Sequence, residues 1–427
     1  MQRYESYKPS GVEWLGDIPC HWEIKQLRWL ADFVERGTAP TYADNGMLVI
    51  NQACLSTYEL NLSKAKYHQS KEDVRNFRGF LKKGDILIAS TGRGVLGKCC
   101  FVNSEIEGFV DSHVSIVRDS KDRLPAKFVF YLLSTQYEMI NACLSQGSTN
   151  QTELQRDSFR KLPIPLPPRA EQDSIVMFLD QKTAEIDTAI AKKKRLIELL
   201  QEQKSILINQ AVTRGLNPDV AMRDSGVDWI GEIPAHWFVI PNRYVFREQN
   251  MRSIKGEETH LSMSQRYGLV PAKNLETKTL QSESYDGAKL CKAGDLVQNR
   301  LKAHLAVFSV ASCDGLVSPD YSVFRLQDRK NHPLFFERLY KTPIYLSEFN
   351  RRVRGIVVGF LRLYSDDFNA IPALVPPHIE QEYIVRYIIK LNSEFGIMQE
   401  KVETEISKLV ELKVIIVADA ITGKIRV

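Results

Sequence analysis

From residue 169 to residue 214 the chain contains neither proline nor glycine. Its apolar residues there recur at three-and-four spacing: Ile175, Phe178, Leu179, Ile186, Ile190, Leu196, Leu200 and Leu207. That period predicts a helix with one apolar stripe. Glu171, Asp173 and Asp180 crowd its start, and Lys192, Lys193, Lys194 and Arg195 come later, the order a helix dipole favours. Residues 380–420 repeat the pattern with Ile384, Ile388, Leu391, Phe395, Met398, Val402, Ile406, Leu409 and Ile416, and Gly396 is the one weak point. About 40 residues at 1.5 Å each give helices of roughly 60 Å, which calls for a two-stranded coiled coil between them. Prolines gate both stretches: Pro163, Pro165, Pro167 and Pro168 before the first, Pro372, Pro376 and Pro377 before the second. The rest reads differently. Short apolar runs at 85–89 and 114–117 predict strands, and 126–145 and 333–350 predict helices.

Self-comparison explains the recurrence. Residues 10–22 read SGVEWLGDIPCHW and residues 225–237 read SGVDWIGEIPAHW, an offset of 215. LPIPLPPRAEQ at 162–172 returns as IPALVPPHIEQ at 371–381, an offset of 209. Between them Lys83-Gly84-Asp85 is echoed by Ala293-Gly294-Asp295, and SIVR at 115–118 by SVFR at 322–325. Phe128 to Thr135 parallels Phe335 to Thr342, and Ala211-Val212-Thr213 returns as Ala420-Ile421-Thr422. Echoes kept in order over 400 residues mark a tandem duplication of about 210 residues. The expected organisation is a mixed domain at 1–168, a long helix and linker at 169–222, a second mixed domain at 223–377 and a second long helix at 378–427.

Composition narrows the class. At 44% apolar and 26% charged residues the chain reads as a soluble, cored protein of several domains. It has no apolar run of membrane-spanning length and no signal-peptide core at its start. Seven cysteines without a CxxC pair point to reduced thiols in the cytoplasm. The net charge of +5 is divided as +2, 0, +4 and −1 over the four segments, so the excess lies in the two mixed domains. That balance is compatible with nucleic acid as a partner.

Gly92 to Cys99 matches G-x4-G-K but ends in Cys99 where a phosphate loop needs a hydroxyl for Mg²⁺, and the following residues read as a strand. Zinc spacing, H-E-x-x-H and G-x-S-x-G are missing, and each Pro-Pro pair follows an aliphatic residue, Leu166 or Val375. His113 reads as a hydrogen-bonded structural residue. A duplicated binder is favoured over the alternative, a DNA methyltransferase or nuclease acting as a single chain.

The paired SGV[ED]W…HW openings, the paired proline–Glu-Gln exits and the two long helices resemble the DNA specificity (S) subunit of type I restriction-modification systems. The segment 211–218 (AVTRGLNP) and Gly147-Ser148 fit the same resemblance. It implies an α+β fold: two pseudo-symmetric α/β target recognition domains separated by two long antiparallel coiled-coil helices. It implies that each domain reads one half of an asymmetric bipartite target in double-stranded DNA. The helices would set the gap and dock two modification (methyltransferase) subunits, joined in the full complex by restriction (translocase/endonuclease) subunits. The chain itself would be non-catalytic and hold no cofactor or metal, with S-adenosylmethionine, and ATP with Mg, bound by partner subunits.

Arg pairs with guanine and Asn or Gln with adenine through two hydrogen bonds in the major groove, so loops carrying them are the candidate readers. In the first domain these are Thr91, Arg93 and Lys98, and Ser148, Asn150 and Gln151 of the GSTNQ loop, with Arg75, Arg78, Lys82 and Lys83 as phosphate grips. In the second they are Gln298, Asn299, Arg300 and Lys302 with His304 nearby, Ser264, Gln265 and Arg266, and the cluster Arg351, Arg352 and Arg354. Three arginines in four positions repel unless an anion is near. The tryptophans of the openings (Trp14, Trp22, Trp229, Trp237) are expected to pack each domain onto the helix base.

Overall fold

The computed structural model describes residues 2–427 apart from 57, 59, 70–73, 93, 122, 148–151, 265–267, 275–284, 306 and 356–360. It divides into two compact units: Met1–Lys194 with Glu403–Val427, and Arg195–Val402. Each unit therefore takes one stretch of each long helix. The first helix runs Arg169–Arg214 and the second His378–Ile421, 46 and 44 residues, or about 69 and 66 Å. Gly396 does not interrupt the second, because a single glycine costs only about 1 kcal/mol against the rest of a helix this long.

In unit 1 the strands Phe33–Arg36, Val114–Arg118, Ile86–Ala89 and Cys99–Phe101 form a four-stranded antiparallel sheet in that order. In unit 2 Phe246–Gln249, Tyr321–Leu326, Leu296–Asn299 and Phe308–Val310 form the same sheet in the same order. The expected helix 126–145 is two helices, Ala126–Thr135 and Tyr137–Cys143, and 333–350 is likewise Pro333–Tyr340 and Pro343–Arg352. In the second case Pro343 forbids continuation and starts the next helix at its first turn.

Two sequence echoes turn out to be the two halves of one interaction. Arg118 donates from Nε and Nη2 to the two carboxylate oxygens of buried Asp85, at 2.6 Å each. Arg325 does the same to buried Asp295, at 2.8 and 2.7 Å. The same aspartates accept the backbone N–H of Lys82 and Lys292, each at 2.8 Å. A forked guanidinium on a carboxylate is among the stronger polar contacts in a protein, and here it ties the turn before one strand to its neighbour.

The longer echoes meet at the helix bases. Glu171 accepts from Tyr4 Oη (2.6 Å) and Trp22 Nε1 (3.0 Å) on one oxygen and bonds His21 Nε2 (2.7 Å) with the other. Glu380 accepts from Trp237 Nε1 (3.1 Å) and bonds His236 Nε2 (2.7 Å). The next residue of each pair donates its amide backward to the proline gate, Gln172 to the Pro167 carbonyl at 2.7 Å and Gln381 to the Pro376 carbonyl at 2.9 Å. Trp22 and Trp237 are buried, as their expected packing role requires. Losing such an indole costs about 3–5 kcal/mol, more than the roughly 1.5–3 kcal/mol of one bond to a charged group, so burial dominates and the bond sets orientation.

Each base is completed by the far end of a long helix. In unit 1 Ile416, Val417, Ala420 and Ile421 join the core of Trp22, Ile175 and Leu179, and in unit 2 Ala211 and Val212 join that of Trp237, Ile384 and Ile388. Gly423 (φ +74°) follows the first segment, and a Cβ there would lie 2.5 Å from Pro19 Cδ. Gly215 (φ +79°) follows the second, and its Cβ would lie 2.9 Å from Glu380 Oε1. Both the left-handed backbone and the close approach require glycine. Within unit 1 the helix stretches run antiparallel, with Lys193 on Glu405 at 2.5 Å and Lys413 on Asp187 at 2.8 Å.

Burial raises the Glu171 carboxyl, but the bonds from Tyr4, His21 and Trp22 outweigh it and hold the group below its usual value of 4.5. A depressed folded pKa stabilises the fold fully above about pH 4.5, and this contribution fades as pH falls through the folded value. Glu171→Gln should therefore lower stability at pH 7 by about 1.5–3 kcal/mol and flatten the decline in acid. Thermal melts from pH 7 to pH 3 check this, and parallel acid limbs in both proteins would contradict it.

Candidate nucleic-acid interface

The two sheets can be superposed by register. Val114 faces Ala89 in unit 1, and Tyr321 faces Asn299 in unit 2. Position 113 thus corresponds to 320, and 90 to 300. A hairpin folds over this corner in both units. In unit 1 it is the pair Ser145–Gln146 and Glu153–Leu154, with Leu154 N–H donating to the Ser90 carbonyl (2.9 Å) and Gly92 N–H to the Thr152 carbonyl (3.1 Å). In unit 2 Arg354 and Arg362 exchange two backbone bonds of 2.9 Å, and Leu363 N–H donates to the Arg300 carbonyl at 3.1 Å. Glu153 therefore corresponds to Arg362. The loop after the central strand and the hairpin, separate candidates in the sequence, are neighbours.

At the unit 1 corner Thr91 donates from Oγ1 to Gln52 Oε1 at 3.0 Å and bonds His113 Nδ1 at 2.7 Å. With the hydroxyl proton on Gln52, His113 Nδ1–H is the donor to Thr91, and Nε2 is left as an acceptor. The His113 backbone N–H donates to Asp111 Oδ1 (2.8 Å), and Tyr42 Oη donates to Asp111 Oδ2 (3.3 Å). Burial pushes the Asp111 carboxyl up against those bonds. Lys66 Nζ stands 4.6 Å from the exposed Tyr42 ring. Alongside lies a groove lined by Arg36, Arg78, Gln146, Glu153 and Arg156. Two of its arginines are tied down, Arg36 to Glu153 at 3.3 Å and Arg156 to Glu35 at 2.6 Å. Lys98 is half-buried at the entry to the next strand. Arg78, Lys82 and Lys83 are exposed, and Arg75 pairs with Glu107 at 3.5 Å. Arg93, Ser148, Asn150 and Gln151 lie outside the described residues.

Unit 2 corrects several expectations. Gln298 is fully buried, in the middle of the sheet, donating to the Leu363 carbonyl at 3.4 Å, so it does not reach a ligand. Asn299 is buried too and serves the backbone: its Oδ1 accepts from Leu301 N–H (3.1 Å) and its Nδ2 donates to Tyr321 Oη (3.4 Å). Their polarity in the sequence resembles that of a loop, whereas the hydrogen-bonded strand extends through both. Arg300 is spent on the next turn, donating from Nε to the Asp320 carbonyl (2.7 Å) and from Nη2 to that of Pro319 (3.3 Å). Lys302 is exposed, Ser264 is half-buried in the strand Leu261–Ser264, and Gln265, Arg266 and the His304 side chain lie outside the described residues.

The arginine cluster has its anions within the chain. Arg352 donates from Nε to Glu348 at 2.6 Å, Arg351 stands 3.5 Å from the same carboxylate, and Arg354 donates to Asp367 at 2.5 Å. Glu348 is 2% exposed, while Arg351 and Arg354 keep 72% and 71% of their side chains in water. Sequence reasoning missed Gln52, Tyr42, Asp320 and Arg362. Only the alignment of echoes could have found the last two, by carrying His113 and Glu153 onto them.

A family model, the type I restriction modification DNA specificity domain, matches residues 19–199. A putative specificity subunit of the type I restriction enzyme MjaX from Methanocaldococcus jannaschii is 25% identical over 243 residues, 55% of this chain and 54% of that one. The chain thus spans about half the length of that relative. The specificity subunit of the type I restriction enzyme EcoKI from Escherichia coli K12 is 22% identical over 365 residues, 80% of this chain and 75% of that one. Among solved structures, a chain from work on complex assembly and conformational transition of a type I R-M system superposes with a TM-score of 0.64 at 15% identity, covering 96% of this chain and 99% of that one. The HsdS subunit from Thermoanaerobacter tengcongensis superposes with a TM-score of 0.51 at 13% identity, covering 96% and 98%.

The cluster's arginines should separate by role. Arg352→Ala leaves buried Glu348 without its closest donor and should lower stability by about 1–3 kcal/mol. Arg354→Ala, at an exposed pair, should stay within about 0.5 kcal/mol of the parent. Urea denaturation of both variants checks this, and equal midpoints would mean that Arg352 does not hold Glu348.

Proposed function

We propose that this chain, which belongs to the type I restriction-modification DNA specificity family, is the sequence-reading subunit of a type I complex. Each unit binds one half of an asymmetric, two-part target in double-stranded DNA. The observation that carries this is one repeated frame with unlike corners: Thr91, His113 and Gln52 in unit 1, Arg300, Asp320 and Arg362 in unit 2. Major-groove edges differ by base pair in donors and acceptors, so two unlike polar corners suit two unlike half-sites. Exposed Lys82, Lys83, Lys302, Arg351 and Arg354 suit phosphates, which fix register without reading sequence.

The chain acts without chemistry of its own, in the cytoplasm. Its duplicated helix bases offer two equivalent platforms, which suits two copies of a modification (methyltransferase) subunit. Those subunits supply S-adenosylmethionine chemistry, and restriction subunits, using ATP with Mg, join the full complex. The long helices set the gap between half-sites.

Co-expressed with its modification subunit, the chain should assemble with two copies in native mass spectrometry and direct methylation to one two-part motif. A stable one-to-one assembly at saturating partner, or methylation without a motif, would contradict the proposal. The antiparallel register of unit 1, continued along the helices, places Leu200 opposite Gln399. Inserting four residues after each adds about 6 Å and should widen the gap by one or two base pairs with both half-sites unchanged. Methylome sequencing that found the gap unchanged would remove the helices as the ruler.

A further inference from the structure

The corner that the frame repeats is also where its charge inverts. On the hairpin ladder unit 1 carries Glu153 and unit 2 carries Arg362; on the facing turn unit 1 carries His113 and unit 2 carries Asp320. Resting on the reading of the chain as a DNA sequence reader, we propose that Arg362 is the guanine-reading side chain of unit 2, with Asp320 as its positioning residue. At the corresponding position unit 1 carries Glu153, a carboxylate.

Arg362 sits on a ladder of two backbone bonds with Arg354, so its backbone is held before any ligand arrives. Its Nη2 stands 3.7 Å from Asp320 Oδ1, and Arg300 Nη2 stands 3.8 Å from the same oxygen. Arg300 is already committed to the Pro319 and Asp320 carbonyls. Its charge holds the Asp320 carboxylate, and the carboxylate orients Arg362. Arg362 and Asp320 are 39% and 53% exposed, so the pair faces water. A guanidinium has five N–H donors in a planar fork. With one edge toward Asp320, the other can donate to guanine O6 and N7, the commonest specific contact in the major groove. Two arginines against one aspartate leave this corner positive, which favours approach to DNA.

Unit 1 cannot make that contact from the same place. Glu153 is an acceptor tied to Arg36 at 3.3 Å, and the neighbouring groups are the Thr91 hydroxyl, the Gln52 amide and the His113 ring. Among the described residues, this position therefore offers a guanine contact to one half-site only.

The test is methylome sequencing of the full chain with its modification partner, as wild type, Arg362→Gln and Arg362→Lys. Wild type should give a two-part motif with a required guanine in one half. Arg362→Gln should relax that guanine, with preference falling about 5- to 150-fold, while the other half and the gap stay unchanged. Arg362→Lys keeps the charge and loses the fork, so it should relax the same base pair. A phosphate-binding or structural arginine would tolerate lysine. An unchanged motif in both variants would overturn the proposal. So would weakening uniform across sequences, with the log–log salt slope lowered by about one. A wild-type complex without a two-part motif would instead overturn the sequence-reader function, and this inference with it.

Discussion

A carboxylate at the start of each long helix, held under a buried indole, is the contact on which the rest of the frame depends. Glu171 and Glu380 each take an indole N–H and an imidazole from the opening box, and the adjacent glutamine bonds the proline gate. Negative charge in the first turn also suits the helix dipole. The contact joins segments about 150 residues apart, so one interaction fixes where the mixed domain ends and in which direction the helix leaves it. The far helix end then closes over the same tryptophan through Gly423 or Gly215. Three short motifs scattered along each repeat are one packed object.

The frame and the corner answer to different constraints. Asp85–Arg118 and Asp295–Arg325 lie inside the sheet edge, where an unpaired aspartate would be a buried charge, so both repeats keep the pair. The corner a few residues away faces water and supports no core. His113 and Glu153 are replaced there by Asp320 and Arg362, while the backbone bond from Leu154 to Ser90 is kept as that from Leu363 to Arg300. The proposed sequence-reading role needs this separation: a scaffold alike in both repeats, and edges free to differ so that two half-sites could be told apart.

The unit 2 cluster shows how charge misleads when read along the chain. Arg351, Arg352 and Arg354 stand close enough to demand an anion, and DNA is one that fits the family. The anions are Glu348 and Asp367, three to thirteen residues away. Arg352 is first a structural residue, whereas Arg351 and Arg354 keep most of their side-chain surface in water.

The duplication, the two long helices and the central strands were legible in the sequence, because each is written in neighbouring residues. A Pro- and Gly-free run with apolar residues every three or four positions has no comparable alternative to a helix, and an echo at a constant offset needs no geometry to be seen. The anchoring role of Trp22 and Trp237 was legible too, since large indoles beside glycine and proline have few other uses. Tertiary structure alone decided which polar residues face outward. Gln298 and Asn299 look like a reading loop and are buried strand, and Arg362 looks like any surface arginine and stands at the corner opposite Asp320. It also decided that each unit is closed by a helix end from the other repeat. Burial and pairing are relations between residues far apart in the chain, and they exist only once the sheet register and the helix contacts have brought those residues together.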